Sequence, residues 1–177
     1  MQANLRIIDP LHGILRPLDM MQPYRLEMAT KYIFEDKTIK LADWWRDSIT
    51  AGLCKDLEDR TNKIVLNLAS DEYSAAVDQK GLPKGTHYIK IVFWEVGRTI
   101  AIHAKKARGT MVRFVAENNI QDIAGVQSFA EEGYCCVLEK SDKSQIIFDR
   151  KVQGPVKKKV MMKVTSSDPV KKKVRSK

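Results

Sequence analysis

The stretch AIHAKKARGTMVRF (residues 101–114) concentrates positive charge beside a glycine. Lys105, Lys106 and Arg108 stand directly before Gly109. Cationic side chains, free backbone N–H groups and a glycine are the groups that suit phosphate binding in proteins. The stretch therefore indicates a phosphate-binding site. The alternative is a solvated basic edge, or an edge paired with acids elsewhere in the chain.

The apolar spacing after this stretch predicts a helix that begins near Ala107. The N-terminus of a helix is the positive end of its dipole, so Lys105, Lys106 and Arg108 would add like charge there. An anion or a carboxylate would relieve that repulsion, which again favours phosphate.

The segment NLASDEY gathers polar side chains where a predicted buried strand ends. It contributes Asn67, Ser70, Asp71, Glu72 and Tyr73. The carboxyl ends of strands are common places for sites in α/β folds. Asp71, Glu72 or Tyr73 would transfer protons in an enzyme, and we expect Asp71 or Glu72 to face the basic stretch across one cleft. The alternative is a helix cap followed by exposed acids.

The loop GILRPLDMMQPYRLEM carries Arg16, Asp19 and Arg25 among prolines and methionines. Structured loops often present side chains to a ligand. These three residues, together with Asn67 and Ser70, are therefore predicted to support the cleft. The alternative for the loop is ordinary packing of its apolar side chains.

The segment IAGVQSFAEEG (residues 123–133) follows a predicted helix and suggests a helix-hairpin-helix turn. In that module the backbone amides of the turn, here around Gly125, hold a DNA phosphate without reading the base sequence. The usual second glycine is Gln127 in this chain. A plain helix–helix connection explains the stretch nearly as well.

The net charge of +9 comes wholly from the end of the chain. Residues 151–177 hold ten Lys or Arg residues and one acid, whereas residues 1–150 hold 21 basic and 21 acidic residues. The basic stretch is thus a local concentration within a neutral domain. The end lacks aromatic residues and is predicted to be a disordered tail. Its two PVKKKV copies would serve as a nuclear-import signal or as a nucleic-acid tether. The alternative is a solvated, disordered segment without a function of its own.

The remaining composition excludes several classes of protein. The chain has three cysteines, two of them adjacent, which suits reduced thiols in a cytosolic setting. The three histidines lack metal-ligand spacing, and no nucleotide fingerprint appears, so neither a metal nor a cofactor is predicted. No apolar run approaches the ~20 residues that span a bilayer, so we expect a cytoplasmic protein without a membrane partner.

Residues 1–150 are predicted to form one mixed α+β domain, with a mixed sheet flanked by helices. Predicted strands cover Leu5–Asp9, Tyr24–Ala29, Lys63–Ser70, His87–Val96 and Thr99–Ala104. Predicted helices cover Ala42–Asp59, a short segment from Asp71 and the segment after Ala107, and a hairpin closes the domain at Tyr134–Arg150.

Several ordered blocks resemble the YaaA family, bacterial proteins linked to peroxide stress. The blocks are GILRPLDMMQPYRLEM, VLNLASDEY, HAKKARGTMVRF, ENNI and EEGY, and they span nearly all of residues 5–150. The family's opening section, with its SPAKTL-type motif, has no counterpart, so we expect this chain to lack that N-terminal section. His103 stands where the family usually has an aromatic residue, and the basic tail is not a family feature.

The resemblance implies a cytosolic protein that protects cells from hydrogen peroxide by lowering free iron and so limiting oxidative DNA damage. It also implies a mixed α/β fold with a positively charged cleft, a helix-hairpin-helix element at residues 120–129 and binding to double-stranded DNA or another nucleic acid. On this chain the cleft would use Lys105, Lys106, Arg108 and Arg113.

Different function classes remain open at this point. The first is a DNA-binding stress protein that grips the phosphate backbone. The second is an enzyme acting on a nucleotide or a nucleic-acid base, with Asp71, Glu72 or Tyr73 moving protons and the basic stretch holding phosphate. A third is a degenerate fragment whose active part is the basic tail.

Overall fold

A computed structural model describes residues 1–151 of the chain. The strands and helices follow one another as β1 (Ile7–Asp9), β2 (Gly13–Leu15), β3 (Lys31–Phe34), β4 (Lys37–Lys40), α1 (Leu41–Leu57), β5 (Ile64–Asn67), α2 (Asp71–Ser74), β6 (His87–Glu95), α3 (Ala101–Glu117), α4 (Ile123–Gln127), β7 (Cys135–Cys136) and β8 (Gln145–Arg150). Short 3-10 turns cover Gln79–Gly81, Glu131–Gly133 and Leu138–Lys140.

The main sheet has four strands in the order β5-β6-β8-β7. Strands β5, β6 and β8 run parallel, and β7 pairs antiparallel with β8. Strands β1–β2 and β3–β4 form two separate antiparallel hairpins. The predicted mixed α+β class with a mixed sheet and helices is therefore confirmed.

The core lies between the main sheet and α3. Every second residue of β6 from Ile89 to Glu95, including Ile91 and Phe93, is buried, because alternate side chains of a strand point to the same face. The opposing face of α3 contributes Ala107 and Met111, both fully buried. An aromatic group completes this cluster with Phe129, Tyr134 and Phe148 packed around Phe93. The core thus fixes which face of α3 remains in solvent.

A second, smaller core joins the first hairpin to α1. Met28 and Ile49 are fully buried there, with Trp45 packed against them. The indole N–H of Trp45 donates to the Pro10 carbonyl at 2.9 Å. Gly13 has a φ of +78°, and an added Cβ would stand 2.7 Å from the Trp45 ring. Only glycine meets both conditions, so this position locks the hairpin against the helix.

The start of α3 differs from the prediction. The helix begins at Ala101 rather than near Ala107, and the predicted strand Thr99–Ala104 is wrong. A tight turn at Val96 and Gly97, both with positive φ, reverses the chain after β6. The burial of Ala104, Ala107 and Met111 then follows helical spacing.

The predicted strand Tyr24–Ala29 is also wrong. Side chains hold this segment instead of a strand ladder. The Tyr24 hydroxyl donates to the Asp9 carboxylate, and the Ala29 N–H donates to Glu72 at 2.9 Å. Hydrogen bonds of this long-range kind cannot be read from residue alternation.

Most other predicted elements are present with shifted ends. The helix in α1, the strand β5, the short helix α2 and the long strand β6 are confirmed. The first strand begins at Ile7, and it pairs with β2 in a segment that was predicted to be a loop. The closing hairpin is confirmed in part, since its first strand β7 has only two residues. The predictions for the tail lie outside the described residues.

The helix-hairpin-helix element is not shown by the described residues. Helix α4 is a single turn of five residues. Its N-terminus is capped by Asp122, whose carboxylate accepts the Gly125 N–H at 2.7 Å. An added Cβ at Gly125 would lie 2.7 Å from Ile120. This glycine therefore permits a tight connection, and its amide is already bonded within the protein.

We expect Gly13→Ala to destabilise the fold more than Gly85→Ala. Both glycines have positive φ, +78° and +81°, so each substitution strains the backbone by about 1–2 kcal/mol. Gly13→Ala adds the clash with Trp45, worth about 1–3 kcal/mol more, whereas Gly85 has nothing within 4 Å of an added Cβ. Urea unfolding measures the free energy of unfolding of both variants. Equal losses of that free energy would contradict the close packing of Gly13 against Trp45.

Candidate nucleic-acid interface

The exposed face of α3 carries three cations around a bare backbone position. Lys105, Lys106 and Arg113 lie four residues before, three before and four after Gly109, so all three neighbour it on the helix surface. The Lys106 and Arg113 side chains are 72% and 59% exposed, and Lys105 and Gly109 are exposed as well. We call Lys105, Lys106, Gly109 and Arg113 the basic stripe.

Packing gives no reason for Gly109. Its position is exposed in mid-helix, and an added Cβ would meet nothing within 4 Å. Glycine costs about 1 kcal/mol relative to alanine in a helix interior. The residue leaves the main chain uncovered at the centre of the basic stripe, as suits a partner that approaches closely.

Two consecutive glutamates meet the basic stripe. The Lys106 ammonium lies 3.0 Å from a Glu132 carboxylate oxygen, and Arg113 donates to Glu131 at 2.9 Å. Arg113 also lies 3.9 Å from Glu117. We call Glu131 and Glu132 the acidic turn. These acids, rather than those of NLASDEY, face the predicted cations.

Lys105 and Arg108, the remaining two cations of residues 105–108, differ in their exposure to solvent. Among residues 1–151, neither Lys105 nor Arg108 has a carboxylate within 4.0 Å. Lys105 is exposed, whereas Arg108 is half-buried at the edge of the stripe. The buried Nε of Arg108 finds no hydrogen-bond partner in the described part of the chain. Among residues 1–151, Lys105 is therefore the cation of the basic stripe that has no carboxylate within 4.0 Å.

The early start of α3 corrects the predicted origin of anion binding. Lys105 and Lys106 lie in the second turn, beyond the reach of the end charges of the helix. The repulsion argued from a helix beginning near Ala107 is thus absent. Any attraction for phosphate comes from the side chains of the stripe and its open backbone position.

A second charged cluster lies where β6 and β8 end. The buried Glu95 carboxylate accepts from Arg150 at 2.7 and 2.9 Å. The same oxygen lies 2.6 Å from His103 Nδ1. The Arg150 guanidinium also stacks 4.8 Å above the Tyr134 ring. Because Glu95 and Arg150 are register partners on adjacent parallel strands, the sheet itself brings these opposite charges together.

The hydrogen bonds of both clusters keep their carboxylates charged. Hydrogen bonds from Arg150 hold the pKa of Glu95 below its ordinary value, with His103 adding to the effect. A hydrogen bond from Lys106 likewise lowers the pKa of Glu132. Both acids are therefore firmly ionised near neutral pH, and each continues to bind its cation.

The candidate proton-transfer residues Asp71 and Glu72 bond to groups other than the cations of the basic stripe. Asp71 pairs with Lys90 at 2.5 Å, and Glu72 accepts the backbone N–H of Ala29. The expected pairing of Asp71 or Glu72 with the cations of α3 is therefore wrong. Burial raises the pKa of the Tyr73 phenol, which moves it further from the near-neutral range that favours proton transfer.

The predicted cleft-support residues have local partners. The Arg16 N–H donates to Asp19 at 2.8 Å, and the Arg16 guanidinium lies 3.4 Å from Asp56. Asn67 is buried and accepts the Ala69 N–H at 3.0 Å. Arg25 is exposed, and Ser70 begins α2 without a side-chain cap bond. Their proposed support of a cleft stays a prediction.

An open cavity of about 480 Å³ lies at the amino ends of β5 and β6, and a second, of about 470 Å³, lies between the start of β6 and the segment before β8. Both are lined in part by His87 and Ile123. The residues of the basic stripe line neither of them. The stripe residues are themselves exposed, which suits an extended partner.

Within residues 1–151, no three His, Cys, Asp or Glu side chains come together as ligands for a metal ion. The helices found there are also too short or too polar to cross a membrane.

The fold and its surface define a mixed α+β domain that presents a basic helix face. Residues 1–140 match the family described as peroxide stress protein YaaA, and the chain belongs to that family. A UPF0246 protein of Francisella philomiragia is 42% identical over 153 residues, and one of Francisella tularensis subsp. novicida is 40% identical over the same length. These alignments cover 84% of this chain but 59% of each relative.

Sequence reasoning missed five residues of these clusters. They share a role as partners of charged groups, and they are Glu95, Thr110, Glu131, Glu132 and Arg150. The adjacent glutamates before a glycine were the available signal for the acidic turn. No sequence spacing reveals that Glu95 and Arg150 are neighbours, since strand register alone decides it.

We expect Gly109→Ala to stabilise the protein by about 1 kcal/mol, because alanine favours the helix and its methyl group meets no atom. Urea unfolding measures the change. Gly125→Ala is the contrasting variant and should destabilise, since its methyl group would clash with Ile120. A destabilising Gly109→Ala would show that an intramolecular contact fills the open position.

The loss of stability of the folded protein at acid pH should depend on Glu95. Its folded-state pKa lies below the ordinary value of 4.5, so its stabilising effect is complete above about pH 4.5 and is lost as pH falls through the folded-state pKa. Glu95→Gln should therefore lower stability at neutral pH and flatten the decline below about pH 4.5. Denaturant melts across pH test this, with the exposed Glu139→Gln as a control that keeps the decline.

Proposed function

We propose that this chain binds the phosphate backbone of double-stranded DNA through the basic stripe as part of the response to hydrogen peroxide. The observation that carries the proposal is the exposed Gly109, surrounded by Lys105, Lys106 and Arg113 with open space above its backbone. Backbone binding needs cations and close approach but no reading of bases. Membership of the peroxide stress protein YaaA family supports the cellular setting.

The basic stripe makes an electrostatic contact of modest strength with the phosphate backbone. Residues 1–150 carry no net charge, so attraction comes from local side chains rather than the field of the whole domain. The basic residues at 151–177 would add contacts that are independent of the fold. The implied lowering of free iron and the cytoplasmic location stay predictions of the family resemblance.

The enzyme alternative gains no support from the described geometry. It requires Asp71, Glu72 or Tyr73 beside the phosphate-holding cations. Asp71 and Glu72 instead bond to Lys90 and the Ala29 backbone.

We expect the Lys105→Gln, Lys106→Gln, Arg113→Gln triple variant of the full chain to weaken duplex binding. Each lost phosphate contact removes about 0.9 from the slope of log affinity against log salt, so three remove about 2.7. Fluorescence anisotropy across a salt series measures the slope.

The matched control removes three exposed lysines of the β3–β4 hairpin and of the loop before β6, Lys31, Lys37 and Lys84, with the same loss of charge. It should leave the slope nearly unchanged. Equal effects of the two triple variants would exclude α3 as the interface. A further variant with Lys157–Lys159 and Lys171–Lys173 changed to Gln measures the contribution of the chain's end.

Gly109→Leu should weaken duplex binding about tenfold or more while leaving the charge of the protein unchanged. Leucine favours a helix, so the fold is retained, but its side chain covers the open backbone position at the centre of the stripe. The loss of one close contact pair is of the order of 1.4 kcal/mol, a factor of ten. Unchanged affinity for this variant would overturn the role of close approach.

A further inference from the structure

The acidic turn occupies the places where phosphates would contact the basic stripe. Glu132 lies 3.0 Å from Lys106, and Glu131 lies 2.9 Å from Arg113. Carboxylates and phosphates compete for the same donors on Lys and Arg side chains. In the free protein, therefore, two of the stripe's three cations already hold an anion.

The acidic turn is anchored by buried residues on both sides. Phe129 before it and Tyr134 after it are almost completely buried. Glu132 has a φ of +55°, in the left-handed region that a glutamate rarely adopts. Its carboxylate also accepts from the Thr110 hydroxyl at 3.3 Å and lies 3.8 Å from Arg150. The core and these contacts hold the carboxylates beside α3.

We propose that Glu131 and Glu132 form an autoinhibitory contact that mimics two phosphates and competes with nucleic acid for Lys106 and Arg113. This inference rests on the proposed function of the stripe. An incoming strand first meets Lys105, which has no carboxylate within 4.0 Å in residues 1–151. Further contacts then require Lys106 and Arg113 to exchange their carboxylates for phosphates.

The competition lowers affinity without blocking the surface. Exposed ion pairs are worth roughly 0–1 kcal/mol, and the Lys106 side chain is largely in solvent, so phosphate can displace these pairs. The two retained carboxylates also repel a nearby phosphate. Weak non-specific binding follows, together with a neutral domain surface in the absence of nucleic acid.

The test is a pair of double-mutant cycles on duplex binding in the full chain. Glu131→Gln should tighten binding about two- to fivefold, and Glu132→Gln should do the same. Each effect should be clearly smaller when the partner cation is absent, in Arg113→Gln and Lys106→Gln backgrounds respectively, because no ion pair then remains to break and only the repulsion between carboxylate and phosphate is relieved. Glu131→Gln leaves the contacts of Glu132 intact, so its cycle stands even where Glu132→Gln perturbs the fold.

The matched control is Glu58→Gln with Glu139→Gln, which removes two exposed acids outside the turn. Tightening in this control equal to that of Glu131→Gln with Glu132→Gln would show a general charge effect and overturn the inference. No tightening on removal of the acidic turn, in a protein that binds and is weakened by Lys106→Gln and Arg113→Gln, would overturn the inference alone. Absence of duplex binding in the wild type and in every variant would overturn the proposed function with it.

Discussion

The packing of α3 against β6 is the contact on which the other features depend. Every second side chain of β6 points at the helix, and the small residues Ala104 and Ala107 let the helix lie close to the sheet. The same alternation continues to Glu95, the last residue of the strand, and buries its carboxylate on the helix side. A buried carboxylate is costly without partners, and Arg150 and His103 provide them.

This packing also decides what α3 presents to solvent. Once Ala104, Ala107 and Met111 face the sheet, helical geometry places Gly109 near the centre of the opposite face. Lys105, Lys106 and Arg113 must then surround it. The exposed face of α3 is therefore fixed by which residues the helix buries against the sheet.

Charge in this protein is organised locally. The described domain is close to neutral overall, yet acids and bases are sorted into specific pairs at the end of β6 and along α3. The chain spans about three fifths of the length of the curated relatives it matches. For this chain, the activity and partners of the family's longer proteins are therefore proposals that rest on the basic stripe and the acidic turn.

Several elements could be predicted from sequence because their signals are local. The alternation of β6 and the four-residue apolar spacing of α1 each arise from contacts within one element. The beginning of α3 could not, because residues 99–104 suit either a strand or a helix. The turn at Val96 and Gly97 and the burial of Ala104 against the sheet decided for the helix.

By itself the sequence determined the mixed α+β class, the identity of the basic residues and the location of the net charge at the chain's end. The tertiary structure decided which acids those basic residues meet. Glu131 and Glu132 come well after the end of α3 in the sequence. They reach Lys106 and Arg113 only because Phe129 and Tyr134 are buried on either side of them. The physical reason is that ion pairing depends on distance in space, and that distance is set by packing of the core.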